Sequence, residues 1–180
     1  MKSFVVKFGF ISGGISVVLM FLTFVVLRGP WLFENGGSYS LSLLVGYAGM
    51  VLSFSVIFIG VRSYREQVAQ GSVSFGKALQ AGLLMALISS CCYTLAWLCI
   101  SHFLYPNFAD DYMQHEMNHL RQTGATEVVL QQKMKMLEEY KSMAANPVMN
   151  ALMTFVEPLP VGFIVALISA AILRKKAAKQ

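Results

Sequence analysis

Four long apolar runs dominate this sequence, at about residues 8–27, 41–61, 78–104 and 148–173. A helical crossing of a bilayer needs about 20 apolar residues. Inside lipid a backbone must satisfy its own hydrogen bonds, and a helix does so within one segment. The sequence therefore predicts an all-α fold, in which residues 1–180 form a single membrane domain built on a bundle of four transmembrane helices.

Composition supports the membrane class, because 56% of the residues are hydrophobic and only 13% are charged. Soluble domains are about 45 to 50% apolar and about 25% charged. The net charge of +5 could suggest nucleic acid, but the basic residues stand beside the apolar runs. Charge acts through its location, so we expect contacts with anionic lipid headgroups, each contributing about 1 kcal/mol, and no nucleic-acid partner.

The distribution of basic residues predicts the orientation of the four spans. Positive charge near span ends favours the cytoplasmic side. One side of the predicted topology carries nine basic residues, namely Lys2, Lys7, Arg62, Arg65, Lys77, Arg174, Lys175, Lys176 and Lys179. The other side carries five, of which four belong to a long loop that counts for less. We therefore expect both termini in the cytoplasm.

The segment at about 107–146 is the only sizeable polar stretch between the apolar runs. Its pattern predicts two helices, at about 108–122 and 127–145, separated by a short turn. Thr126 is a plausible N-cap, and Asn146 with Pro147 marks the stop. In the predicted topology this helical hairpin lies between spans 3 and 4, outside the cytoplasm.

The hairpin contains the sequence HEMNH, which matches the H-E-x-x-H pattern of zinc proteases. That spacing places His115 and His119 on one helical face as ligands, with Glu116 as general base, and Glu139 lies at a plausible distance for a third ligand. However, a catalytic zinc site needs a dry cavity and groups that orient its ligands, whereas this stretch is polar. We interpret the match as coincidental and predict no metal and no catalytic residue, with a zinc hydrolase as the remote alternative.

Glu157 is the strongest candidate functional residue, because an ionisable side chain inside a span is costly. Pro158 and Pro160 follow it and interrupt the helix by removing two backbone donors. Two interpretations stay open. The carboxylate could bind a cation, a proton or a basic group, with His102 as a possible partner, or it could complement the dipole of a helix that starts at Pro158.

Small residues recur every fourth position within the spans and predict close helix packing. The ridges are Gly9 and Gly13; Ala78, Gly82, Ala86 and Ser90; and Gly162, Ala166 and Ala170. Packing inside one bundle explains them, and a homodimer face is the alternative. The three cysteines, Cys91, Cys92 and Cys99, share one apolar run without the spacing of a disulfide framework or a zinc site, so we expect small buried side chains.

Several segments together resemble a bacterial family of small four-span inner-membrane proteins that contain a domain of unknown function. In chain order they are FGFISG, GVRSYRE, SFGKALQAG, YPNF, the NP before the last span, TFVEPLPVG and LISAAILRKK. The resemblance covers nearly the whole chain. It implies a bacterial inner-membrane location and a helical fold, but it supplies no activity, cofactor or catalytic residue.

These observations favour a multi-pass membrane protein that is not an enzyme and that has no cofactor. The leading hypothesis is an accessory or assembly protein that binds a membrane-protein partner through its hairpin and packing ridges. The alternative is a small transport component with an ion or proton pathway at Glu157.

Overall fold

The four predicted spans are helices in the computed structural model, which describes residues 2–26 and 39–175. The spans contain α1 (Lys2–Phe21), which continues as a π-helical turn (Leu22–Val26), α2 (Tyr39–Gln67), α3 (Phe75–Phe103), and the pair α6 (Pro147–Val156) and α7 (Leu159–Leu173). Between them lie α4 (Phe108–Gln122) and α5 (Glu127–Ala145). Four stretches are long and apolar enough to cross a membrane, Lys2–Phe24, Gly46–Gln67, Phe75–Phe103 and Pro147–Leu173.

Some sequence expectations concern residues that the structure does not describe. They are the end of the first apolar run at about residue 27 and the basic residues Lys176 and Lys179 of the tail.

The chain divides into two compact units, and the divisions fall inside α3 and α6. Unit 1 comprises Met1–Ala96 and Phe155–Gln180, and unit 2 comprises Trp97–Thr154. Unit 1 therefore contains most of the apolar spans, and unit 2 contains the α4–α5 hairpin with the adjoining helix ends. The expected single membrane domain stays a prediction.

Small residues allow the helices of unit 1 to approach closely. A Cβ added at Gly82 of α3 would lie 2.9 Å from the Cβ of Ala166 in α7, and one added at Gly162 would lie 2.9 Å from the Cβ of Ala86. On α1, a Cβ at Gly13 would lie 2.7 Å from Cys92. The predicted ridges of α3 and α7 therefore pack against each other and that of α1 packs on other residues of α3, and such backbone proximity gives the van der Waals contact that holds helices together in lipid.

Hydroxyl groups form the polar part of this core. The Ser12 Oγ lies 2.9 Å from the carbonyl oxygen of Ser53 and 3.1 Å from the Oγ of Ser89, which links α1, α2 and α3. Ser53 and Thr94 donate to the carbonyl oxygens four residues earlier in their own helices. Such bonds satisfy small polar groups without charge, as a core surrounded by lipid requires.

Basic residues meet at one end of unit 1, which we call the basic end: Arg62, Arg65, Lys77, Arg174 and Lys175. Val73, before α3, and Lys175, after α7, form an isolated antiparallel bridge with N···O distances of 3.0 and 2.9 Å. The Arg65 guanidinium lies 3.5 Å from the carbonyl oxygen of Leu173. Val5, near the start of α1, belongs to the same buried cluster as Val61 and Val73, so the described N-terminal residues share this end.

In unit 2, α4 and α5 form the hairpin that the sequence predicts, with the same bounds. Gly124 has φ +75°, in the left-handed region that favours glycine. Its N–H donates to the carbonyl oxygen of Arg121 and the Ala125 N–H donates to that of Leu120, which is a Schellman ending of α4. Thr126 occupies the N-cap position of α5, although its side chain forms no capping hydrogen bond.

Candidate functional site

The break between α6 and α7 lies at Glu157 and Pro158. Helix α6 ends at Val156, and Pro158 is the N-cap of α7, whose first residue is Leu159. The sequence predicted Pro158 as the first residue of this helix, but Pro158 stands one position before it. Pro160 occupies the second position of the new helix, where a missing N–H costs nothing. Pro158 is fully buried, so the break is anchored in the core of unit 1.

Glu157 lies on the outside of the unit 1 bundle, because its side chain is exposed while its neighbour Pro158 is buried. The Tyr93 side chain on α3 lies close enough to the Glu157 carboxylate to interact with it. Tyr47 on α2 lies close enough to Tyr93 to interact with it electrostatically. The neighbour of Glu157 within unit 1 is thus Tyr93, and a partnership with His102 stays a prediction.

These three side chains stand at similar distances from the basic end. Glu157 is 17 residues before Arg174, Tyr93 is 16 residues after Lys77, and Tyr47 is 15 residues before Arg62. At 1.5 Å per residue these separations correspond to about 22 to 26 Å, which is less than the hydrocarbon thickness of about 30 Å. We call this group of Tyr47, Tyr93 and Glu157 the Glu157 surface.

Sequence reasoning missed Tyr93 and Tyr47, although a usable signal was present. Both tyrosines stand nearly as far from a basic helix end as Glu157 does. In a bundle whose basic ends coincide, residues at equal distance from those ends lie at one level. That argument predicts which residues lie at the same depth in the bundle. Whether two side chains at that depth meet depends on the rotation of each helix about its axis.

The H-E-x-x-H stretch lies on α4, where its glutamate packs against the hairpin partner. The side chain of Glu116 is 8% exposed, and its Oε1 lies 3.0 Å from the Nζ of Lys133 on α5. His119 is exposed and His115 is half-buried. Within residues 2–26 and 39–175 no three His, Cys, Asp or Glu side chains are grouped to hold a metal ion, so Glu139 does not complete a ligand set there.

A second ion pair joins the same two helices, between Lys141 of α5 and Asp110 of α4. The two helices are thus joined near the open end of the hairpin by this pair and farther along by Glu116 and Lys133. The charges of the hairpin thus have a structural use.

The cysteines are free thiols; Cys92 packs against Gly13, whereas Cys91 and Cys99 are exposed, contrary to the expectation of buried side chains.

Comparison with known proteins identifies one family. A family model described as "Protein of unknown function (DUF4199)" matches residues 7–175. No curated protein and no solved structure matches the chain. The match covers most of the first candidate span and the whole of the other three, and the chain belongs to this DUF4199 family of unknown function.

Proposed function

We propose that this chain is a non-enzymatic accessory protein of a bacterial inner membrane, and that it binds a transmembrane helix of another membrane protein at the Glu157 surface. The exposure of Glu157 carries the proposal. A carboxylate on the side of a span is expensive when it faces lipid. The Tyr93 hydroxyl beside it has one proton to donate, whereas a carboxylate accepts several hydrogen bonds, so a partner with a donor at this level would stabilise it.

The position of Glu157 favours partner binding over an ion pathway through one copy of the bundle. Such a pathway needs ionisable groups or water inside the bundle, whereas the described core of unit 1 contains hydroxyl groups such as Ser12 and Ser89. A twofold dimer centred on Glu157 is also disfavoured, because it would bring two carboxylates together. The partner that fits is a helix with a basic or amide side chain.

The proposed topology has both termini in the cytoplasm and the α4–α5 hairpin outside it. Support comes from the basic end, where Arg65, Lys77 and Arg174 meet, because positively charged span ends stay cytoplasmic. These side chains would also contact anionic headgroups on that side.

Photo-crosslinking tests the proposal directly. A crosslinking amino acid at Val156, which is 56% exposed beside Glu157, should give one discrete adduct with a membrane protein in native membranes. The Glu157→Leu change should abolish this adduct, and Glu157→Gln should weaken it, because an amide retains hydrogen bonding without charge.

The matched control places the same amino acid at Phe10 of α1, which is 60% exposed, and should yield lipid adducts only. Lipid adducts at both positions, or a protein adduct that survives Glu157→Leu, would refute partner binding at this surface. Ion flux in proteoliposomes that is lost in the Glu157→Gln variant would instead favour the transport alternative.

A further inference from the structure

Unit 2 contains a cavity of about 340 Å³ where four helices meet. It lies among the end of α3, the start of α4, the end of α5 and the start of α6. Ligand sites in proteins have volumes of about 300 to 1,000 Å³, so this cavity can hold the head of a small molecule. The α3 and α6 residues that line it belong to two candidate spans.

Aromatic rings form one part of the cavity wall. Trp97, Phe108 and Tyr140 line it, and Trp97 contacts Phe108 edge to face with ring centroids 4.9 Å apart. Tyr112 stacks on Phe108 at 6.2 Å and contacts Tyr140 at 6.0 Å. These contacts connect the rings into one cluster, and a planar ligand ring packs well against such a wall.

Asn150 is oriented with its hydrogen-bond donor unused. Its Oδ1 accepts from the Trp97 Nε1 at 3.3 Å, whereas the Thr154 hydroxyl, 3.4 Å from this Oδ1, donates its one proton to the Asn150 carbonyl oxygen at 2.8 Å. The bond from Trp97 orients the amide and leaves the Nδ2 to donate, and the Nδ2 forms no hydrogen bond within the described part of the chain. The nitrogens of His102, another lining residue, likewise have no hydrogen-bond partner among the described residues.

The charges of the lining indicate a neutral ligand. Asp110 and Lys141, the acidic and the basic side chain of the wall, form an ion pair with each other. The wall therefore has no spare cation for a phosphate group and no spare carboxylate for an ammonium group. The unused donors suit carbonyl oxygens.

From these contacts we infer that the unit 2 cavity binds the head of a neutral, membrane-soluble molecule whose planar ring bears carbonyl groups, which is the chemistry of a quinone. The Asn150 Nδ2 and the His102 ring donate to the carbonyl oxygens, and the rings of Trp97, Phe108 and Tyr140 pack on the head. This site is separate from the Glu157 surface, and binding here does not depend on the proposed partner.

Tryptophan fluorescence tests the inference, because quinones quench indole emission on contact. The chain has two tryptophans, so a Trp31→Phe background leaves Trp97 as the only reporter. A short-chain benzoquinone, titrated into the full-length protein in nanodiscs, should quench Trp97 with a saturable curve. Asn150→Asp keeps the acceptor for Trp97 but removes the donor, and it should weaken binding at least fivefold.

His102→Leu should weaken binding similarly, and since His102 is exposed this variant also serves if Asn150→Asp fails to fold. The matched control is His119→Leu, which changes an exposed histidine of α4 outside the cavity and should leave the curve unchanged. Linear quenching that is equal in all variants would overturn the inference. So would displacement of the quinone by a short-chain phosphatidylglycerol, which would make the cavity an anionic headgroup site.

Discussion

At the residue scale, a substitution can change stability in the direction opposite to the one that helix propensity predicts. Glycine costs a helix up to about 1 kcal/mol relative to alanine, so replacing it should usually stabilise the helix. Gly82 is an exception, since its missing side chain is what allows α3 to contact α7 near Ala166. Gly14 of α1 has no atom within 4 Å of the position a Cβ would take.

We predict that Gly82→Ala destabilises the protein and that Gly14→Ala does not. The new Cβ at Gly82 would meet the Cβ of Ala166 at 2.9 Å and its Cα at 3.2 Å, and overpacking of this kind costs about 1 to 3 kcal/mol. Unfolding in mixed micelles of increasing dodecyl sulfate content, followed by circular dichroism, measures both variants. Equal stability of the two would contradict the packing of α3 against α7.

A second residue-scale prediction concerns Glu116. The Glu116→Ala change removes the carboxylate that pairs with Lys133 and should destabilise the hairpin by about 2 kcal/mol. Hydrogen exchange of α4 and α5 should then become about 30-fold faster, since 1.4 kcal/mol corresponds to a factor of ten.

The matched control for that prediction is Glu139→Ala, because Glu139 is exposed and its side chain forms no hydrogen bond or ion pair among the described residues. Exchange in this variant should stay as in the parent protein. If Glu116→Ala left exchange unchanged, the Glu116–Lys133 pair would not stabilise the hairpin, and stoichiometric zinc that is lost on His115→Ala would instead favour the metal-site alternative.

At the scale of elements, local signals in the sequence predicted the hairpin well and the contacts poorly. The bounds of α4 and α5 follow from a glycine turn and the Asn146–Pro147 stop, which act within a few residues. Helix α2 continues to Gln67, beyond the predicted span end at about 61, because Arg62 and Glu66 pair along its surface at i, i+4. The Tyr93–Glu157 and Glu116–Lys133 pairs join distant segments, and no local pattern encodes the helix rotations that create them.

The turn between α4 and α5 gives a prediction at this scale. Gly124→Ala should destabilise the hairpin by about 1 kcal/mol, because alanine pays a steric cost at φ +75°. Gly124→Asn should cost less, since asparagine tolerates this conformation better. Hydrogen exchange of the last turn of α4 measures both, and an alanine variant as protected as the parent would show that the Schellman ending is dispensable.

At the scale of the whole molecule, the orientation proposed for the membrane rests on the distribution of charge, which the sequence contains in full. The basic residues come from segments far apart in the chain, yet the structure brings those of α2, α3 and α7 to one end. The interior contacts of each unit could not be predicted from the sequence. Apolar residues lie on nearly all sides of a membrane-spanning helix, so their pattern does not indicate which face packs.

Single-cysteine labelling tests this orientation in a background where Cys91, Cys92 and Cys99 are replaced by alanine. We predict that a cysteine at Gln114 on α4, an exposed position, reacts with a membrane-impermeant maleimide in intact spheroplasts. A cysteine at Ala178 of the tail should react only after lysis, because the last of the four spans lies between the hairpin and the tail and puts them on opposite sides of the membrane. Labelling of both sites before lysis, or of neither, would place the hairpin and the C-terminus on the same side of the membrane. The arrangement with a cytoplasmic basic end and an external hairpin would then be wrong.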